Sequence, residues 1–170
     1  SGVDGLALIC CGAGGHTGKL SPFVFVEEVR KFFSGEIILS GAIGNGRAIR
    51  AARVLGANYV YMGTRFISTH ESLAQQDYKE MVVNSKGSDV ITSDSITGVK
   101  ANWLRGSLIN AGYDIDNMPP PREINFLEAA GDFKRWRDIW AAGQAVGVTE
   151  KIESIADIVD QLENEYRENL

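Results

Sequence analysis

The arrangement that most limits how this chain can fold is a unit that occurs three times in its first half. Each unit is a short apolar run, a glycine-rich turn and then a stretch with helical spacing. The first runs through Leu6–Cys11, then Gly12-Ala-Gly-Gly-His16-Thr-Gly18, then a Ser21-Pro22 helix start carrying Phe25, Val26, Val29, Phe32 and Phe33 as far as Gly35. The second is Ile37–Leu39, Gly41-Ala-Ile-Gly-Asn-Gly46 and a helix over Arg47–Leu55 stopped by Gly56. The third is Tyr59–Met62, then Gly63-Thr64-Arg65-Phe66, then a helix opened by a Ser68/Glu71 capping box and reaching about Asn84. Continuous apolar runs are strands buried on both faces. Strand–loop–helix units in series give parallel strands joined by right-handed crossovers, with all three loops at the carboxyl end of the sheet.

The pattern changes after residue 86. Asp89–Ile109 alternates like strands broken by glycine, Pro119-Pro-Pro121 marks a loop, and Phe133–Trp140 reads as a short helix leading into Ala141-Ala-Gly-Gln144. A last helix is capped by Ser154 with Asp157 and carries Ile155, Ile158, Val159, Leu162 and Tyr166 on one stripe. The expected organisation is three βα units over 1–86, an α/β extension flanking the active site over 87–149, and a C-terminal helix over 150–170.

Composition removes several classes of function. The 17 basic and 22 acidic side chains give a net charge of −5 with no dense basic stretch, which argues against a nucleic-acid partner. No apolar run approaches the ~20 residues of a membrane span, and the N-terminal residues do not read as a signal peptide. Cys10 and Cys11 are adjacent, too few for a disulfide framework and wrongly spaced for zinc, so no metal is expected. They read as small buried hydrophobes, and the compartment as the reducing cytoplasm.

The loops are where chemistry can sit. Gly41–Gly46 has no Walker lysine and does not match the dinucleotide fingerprint, but its glycines let backbone N–H groups approach a phosphate, with the following helix dipole assisting. Gly63-Thr64 repeats the device on the next strand and adds a hydroxyl. Two consecutive loops of this kind suit one phosphate, the alternative being that the glycines only make tight turns. His16 lies beyond a buried strand among glycines and can move a proton or bind an anion, or can be a plain loop histidine. His70, in a first helical turn, reads as surface. Trp103, Trp136 and Trp140 can cover a flat ring, though packing is the expectation for at least two of them. Gln144 is a polar side chain in a small apolar loop, which suggests a ligand contact.

Four segments in this order, Ala13-Gly-Gly-His-Thr-Gly18, Leu39-Ser-Gly-Ala-Ile-Gly-Asn-Gly46, Met62-Gly-Thr-Arg-Phe66 and Trp136-Arg-Asp-Ile-Trp-Ala-Ala-Gly-Gln144, resemble the nitronate monooxygenase family, once called 2-nitropropane dioxygenases. The resemblance implies an α/β fold, the C-terminal part of a (β/α)₈ TIM barrel comprising its last three βα units plus the extension. It implies an FMN-dependent oxidoreductase that oxidises alkyl nitronates or nitroalkanes with O2 to a carbonyl compound and nitrite. It assigns His16 as catalytic base or anion-positioning residue, Gly41, Ala42, Gly63 and Thr64 to the FMN phosphate, and Gly15 and Gln144 to the vicinity of the flavin. Many members have a glutamate where this chain has Gly12, so a carboxylate that could tune the histidine is absent. The family is about twice this length, as a barrel of ~250 residues requires. The first five strands are then the missing partner of this piece, and self-association is left open. Two other readings stand beside this one: an FMN-dependent enoyl-acyl-carrier-protein reductase, which shares the Gly-Gly-His loop, and a non-catalytic half-barrel that binds phosphate or a protein.

Overall fold

The computed structural model describes residues 2–121 and 135–168, with the side chains of 135 and 136 excluded. Three strands form a parallel sheet: β1 (Gly5–Ile9), β3 (Glu36–Ser40) and β4 (Tyr59–Tyr61), in the order β1-β3-β4. This is the order and direction expected of serial βα units. β1 is shorter than the apolar run, since Cys10 and Cys11 have left the strand and donate their amides to Ser40 and Leu20.

Helix α1 (Pro22–Arg30) begins where Ser21 accepts from the Phe23 amide, with proline in the first turn. Helix α2 (Gly46–Leu55) is capped by Asn45 and ends on left-handed Gly56. Both pack on one face of the sheet. Leu8, Ile37 and Leu39 meet Val26, Val29 and Ala52 there, together with Cys10, in one buried cluster. The opposite face is open: Ala7 and Ile9 are exposed, and Tyr59 and Tyr61 are 60% and 65% exposed. Helices therefore cover one side only. Alternate strand residues point to opposite faces, so the open face is a direct consequence of that one-sided cover.

The third unit departs from expectation. The Ser68/Glu71 pattern does not open a helix. A single turn, α3 (Thr64–Ile67), ends at Ser68, and α4 (Gln76–Asn84) starts later. The Glu71 carboxylate instead accepts from the Ile155 amide at 3.0 Å, capping α7 (Ile155–Arg167) together with Ser154. The capping pattern is local in sequence, but the orphan amide it satisfies belongs to a distant helix. Of the stripe expected on α7, only Ile158 is buried, and Ile155 and Val159 are more than 40% exposed.

A second, antiparallel sheet has the order β2-β6-β5: β2 (Gly15–His16), β6 (Ala101–Leu104) and β5 (Val90–Ser93). After β6 come α5 (Arg105–Asn110) and α6 (Arg135–Asp138). Phe133 and Lys134 of the expected helix, and the side chain of Trp136, lie outside the described residues. No helix among the described residues is long and apolar enough to cross a membrane.

Candidate active site

All three loops leave the carboxyl ends of the parallel strands, and they converge. Gly12–Gly14, Ser40–Ile43 and Tyr61–Thr64, with Ala145 from the C-terminal segment, line one cleft. Gly41 and Ala42 are both left-handed, at φ 127° and 57°. For alanine this conformation is costly and is held by its surroundings. Here the Ala42 amide donates to the Gly12 carbonyl at 3.3 Å. The Gly41 and Gly63 amides have no protein acceptor among the described residues. Thr64, first residue of α3, has no intrahelical acceptor for its own amide.

A methyl group on Gly41 would meet the Cys11 carbonyl oxygen at 2.9 Å and Cys10 Cβ at 3.0 Å. On Gly63 it would meet no protein atom within 4 Å. Gly41 is therefore required by the protein itself, whereas a side chain at Gly63 would enter space that no protein atom occupies. That combination fits an anionic group such as the FMN phosphate.

The helix dipole expected to assist is already committed. At the start of α2, Asn45 takes the Ala48 amide at 2.8 Å, and Glu165 of α7 takes the Gly46 amide at 2.7 Å. A carboxylate of the chain stands at that positive helix end. The start of α2 is thus taken by the chain's own side chains, apart from the Gly41, Gly63 and Thr64 loop amides. The Thr64 hydroxyl is buried and accepts from the Gly143 amide at 2.8 Å, so it ties the third loop to the C-terminal segment and keeps its own proton to donate.

The first loop and the C-terminal segment are in contact through their glycines. A methyl on Gly14 would come within 2.8 Å of the Gly143 nitrogen and 3.0 Å of Thr64 Oγ1. The Gln144 amide donates to Gly12 at 2.9 Å, and Gln144 Oε1 lies 2.7 Å from where a Gly12 Cβ would be. A side chain such as glutamate at Gly12 would have no room beside Gln144 and would sit at a left-handed φ of 84°.

Gly15 and His16 do not line the cleft. They follow Gly14, which does, and form the short strand β2, with His16 exposed. The site residues Gly41, Ala42, Gly63 and Thr64 are thus brought together, with Gly15, His16 and Gln144 at their margin. His70 is elsewhere, its amide bonded to Glu153. Trp103 is fully buried, and Trp140 stacks on Tyr78 with ring centroids 5.1 Å apart. Both pack rather than cover a ligand. Burial, and then the neighbouring Cys11, push the Cys10 thiol up to about 11, so it stays protonated as a core residue. No group of three or more His, Cys, Asp or Glu among the described residues is placed to hold a metal ion.

Two participants escape sequence reading. Ser40 lines the cleft, and its only signal is a polar residue ending an apolar strand. Asn102 is 2% exposed, and its Nδ2 donates to the Ala13 carbonyl at 2.7 Å. Nothing in Val-Lys-Ala-Asn-Trp-Leu distinguishes it from an edge-strand polar residue.

Comparison with known proteins places these features among relatives. A family model described as nitronate monooxygenase matches residues 1–165. A protein named "Probable nitronate monooxygenase" from Staphylococcus haemolyticus is 27% identical over 148 residues, covering 76% of this chain and 42% of that protein. The chain spans about half the length of the curated relatives it matches. Among solved structures, FabK from Thermotoga maritima superposes with a TM-score of 0.74 at 26% identity, over 98% of this chain and 55% of that one. Nitroalkane oxidase from Streptomyces ansochromogenes does so with 0.73 at 22% identity, over 97% and 52%, a likeness of fold.

Proposed function

Because this chain belongs to the nitronate monooxygenase family, we propose that it is the flavin-phosphate and base-bearing part of an FMN-dependent (β/α)₈ enzyme. Its reaction oxidises alkyl nitronates or nitroalkanes with O2 to a carbonyl compound and nitrite. The observation that carries this reading is the cleft itself, where Gly41 and Gly63 present unsatisfied amides beside a loop that carries an exposed histidine.

FMN, when bound, supplies the electron chemistry. The chain's residues bind, orient and move protons. Gly41, Gly63 and Thr64 hold the phosphate through backbone N–H groups, with Ala42 shaping the turn. Gln144 and Gly15 border the ring. An imidazole nitrogen of His16 takes the α-proton of a neutral nitroalkane, or donates a hydrogen bond to a nitro oxygen of the nitronate. The open face of β1, β3 and β4 is the side on which the remaining barrel strands pack, and the expected division at residues 86 and 149 belongs to the same proposal. The two free cysteines suit a reducing cytoplasm. An enoyl-acyl-carrier-protein reductase, which would share the Gly-Gly-His loop, is the second reading.

The test is a contrast of substrates. His16→Asn in the flavin-loaded protein should keep its FMN and lose about 10²–10⁴-fold in turnover of the neutral nitroalkane. Nitronate, already deprotonated, should lose far less. Equal losses on both make His16 an anion-binding residue, and no loss on either removes it from the mechanism. Reduction of the flavin by NAD(P)H and not by nitronate would overturn the nitronate assignment in favour of the reductase.

A further inference from the structure

The His16 strand is not held by the parallel sheet that precedes it. It is held by β6, a segment more than eighty residues later. Gly15 and His16 pair antiparallel with Asn102 and Ala101, and the Thr17 amide donates to Lys100 at 3.1 Å. The neighbouring residues of β6 grip the other side of the site. Trp103 bridges Ala141, and the Leu104 amide donates to Trp140 at 2.9 Å. One strand therefore brackets both the histidine loop and the segment that carries Gln144.

At the centre of the bracket is Asn102. Its side chain is buried, and both ends are used. Nδ2 donates to the Ala13 carbonyl at 2.7 Å, and Oδ1 accepts from the Thr92 hydroxyl at 2.5 Å. The orientation is forced: a carbonyl can only accept, so the NH2 group must face Ala13. Ala13 sits between Gly12 and Gly14, both in the cleft wall, and three residues before His16. A buried polar side chain retained in a β-strand beside Trp103 and Leu104, both fully buried, needs such partners to offset its desolvation.

We propose that Asn102 is the positioning residue for His16, fixing the Ala13–Thr17 loop against β6 so that the imidazole stands at the margin of the cleft. Its importance for turnover rests on the function proposed above, whereas its control of the loop does not. Thr92 acts one step further out by orienting the amide.

The chain has two histidines, His16 and His70, so its imidazole C–H signals form a small set that a His16→Asn spectrum assigns. Asn102→Leu keeps the volume and removes both hydrogen bonds. In the folded protein it should displace the His16 signals and leave those of His70 in place. In the flavin-loaded protein it should lower kcat by about 10- to 100-fold, the loss expected when a reacting group is misplaced by about an ångström, with flavin affinity unchanged. Thr92→Val, at an exposed residue, should move the same signals in the same direction by less. His16 signals unmoved in both variants would overturn the proposal. So would a kcat loss that follows flavin affinity. If Asn102→Leu does not fold, Thr92→Val decides alone, and no displacement there overturns it. Normal turnover in His16→Asn alongside displaced signals in Asn102→Leu would defeat the catalytic reading of His16 and support the bracket.

Discussion

Substituting Gly63 separates what the protein needs from what a ligand needs. Gly63 has φ −110° and ψ −54°, a conformation open to any residue. A Cβ there meets no protein atom within 4 Å. Gly63→Val should therefore leave the fold intact, with the stability change confined to about 1 kcal/mol, the scale of backbone-entropy and capping effects at a loop glycine. In the proposed reading the added carbons enter, from Gly63, the space that the phosphate takes beside the Gly41, Gly63 and Thr64 amides. Losing one hydrogen bond to a phosphate costs about 1.5–3 kcal/mol, which is roughly 10- to 150-fold in affinity. Gly41→Ala is the contrasting variant. Its methyl overlaps the Cys11 carbonyl at a left-handed φ, so it should destabilise the protein outright by about 1–3 kcal/mol. Urea unfolding measures the first quantity and flavin titration the second. A Gly63→Val protein of wild-type stability that binds FMN with wild-type affinity would refute the phosphate assignment. A Gly63→Val protein that unfolds would refute the claim that the space is reserved for a ligand.

Two further outcomes concern the support of the site. Arg65 and Glu153 form a buried ion pair at 2.7 Å, 4% and 7% exposed, and removing the carboxylate in Glu153→Ala should cost about 3–5 kcal/mol because the guanidinium is left uncompensated. Burial opposes the Glu153 carboxylate, but bonds from Lys151 and Arg65 outweigh it and hold its pKa below the usual 4.5. Its contribution is therefore present above that value and lost as pH falls through the lowered one, so acid-unfolding curves of wild type and Glu153→Gln should converge at low pH, and a constant gap would contradict this. Burial raises the Tyr78 hydroxyl to about 12, against the hydrogen bond it donates to Ala141. With the folded pKa above the unfolded value of 10.0, the stability Tyr78 contributes is full below pH 10.0 and lost as pH rises towards 12. Ultraviolet titration should show one late tyrosine that Tyr78→Phe removes.

The sequence by itself determined the elements whose causes are local. Apolar runs followed by glycines made β1, β3 and β4 parallel and in order, because a buried strand followed by a tight turn and an amphipathic stretch has one right-handed way to return. Ser21, Asn45 and Ser154 cap the helices they precede, because a capping bond spans only two or three residues. The same locality placed Gly41 and Gly63 at one end of one sheet. What only the tertiary structure decided is how orphan groups find partners far along the chain. Glu71 looked like a cap for its own helix and instead serves Ile155, while Glu165 takes the α2 terminus that the glycine loop seemed to offer a phosphate. Asn102 carries no sequence signal, because the carbonyl it satisfies is 89 residues away. A buried N–H or C=O must be paired, but the requirement does not say by which residue, and that choice is made only when the layers pack.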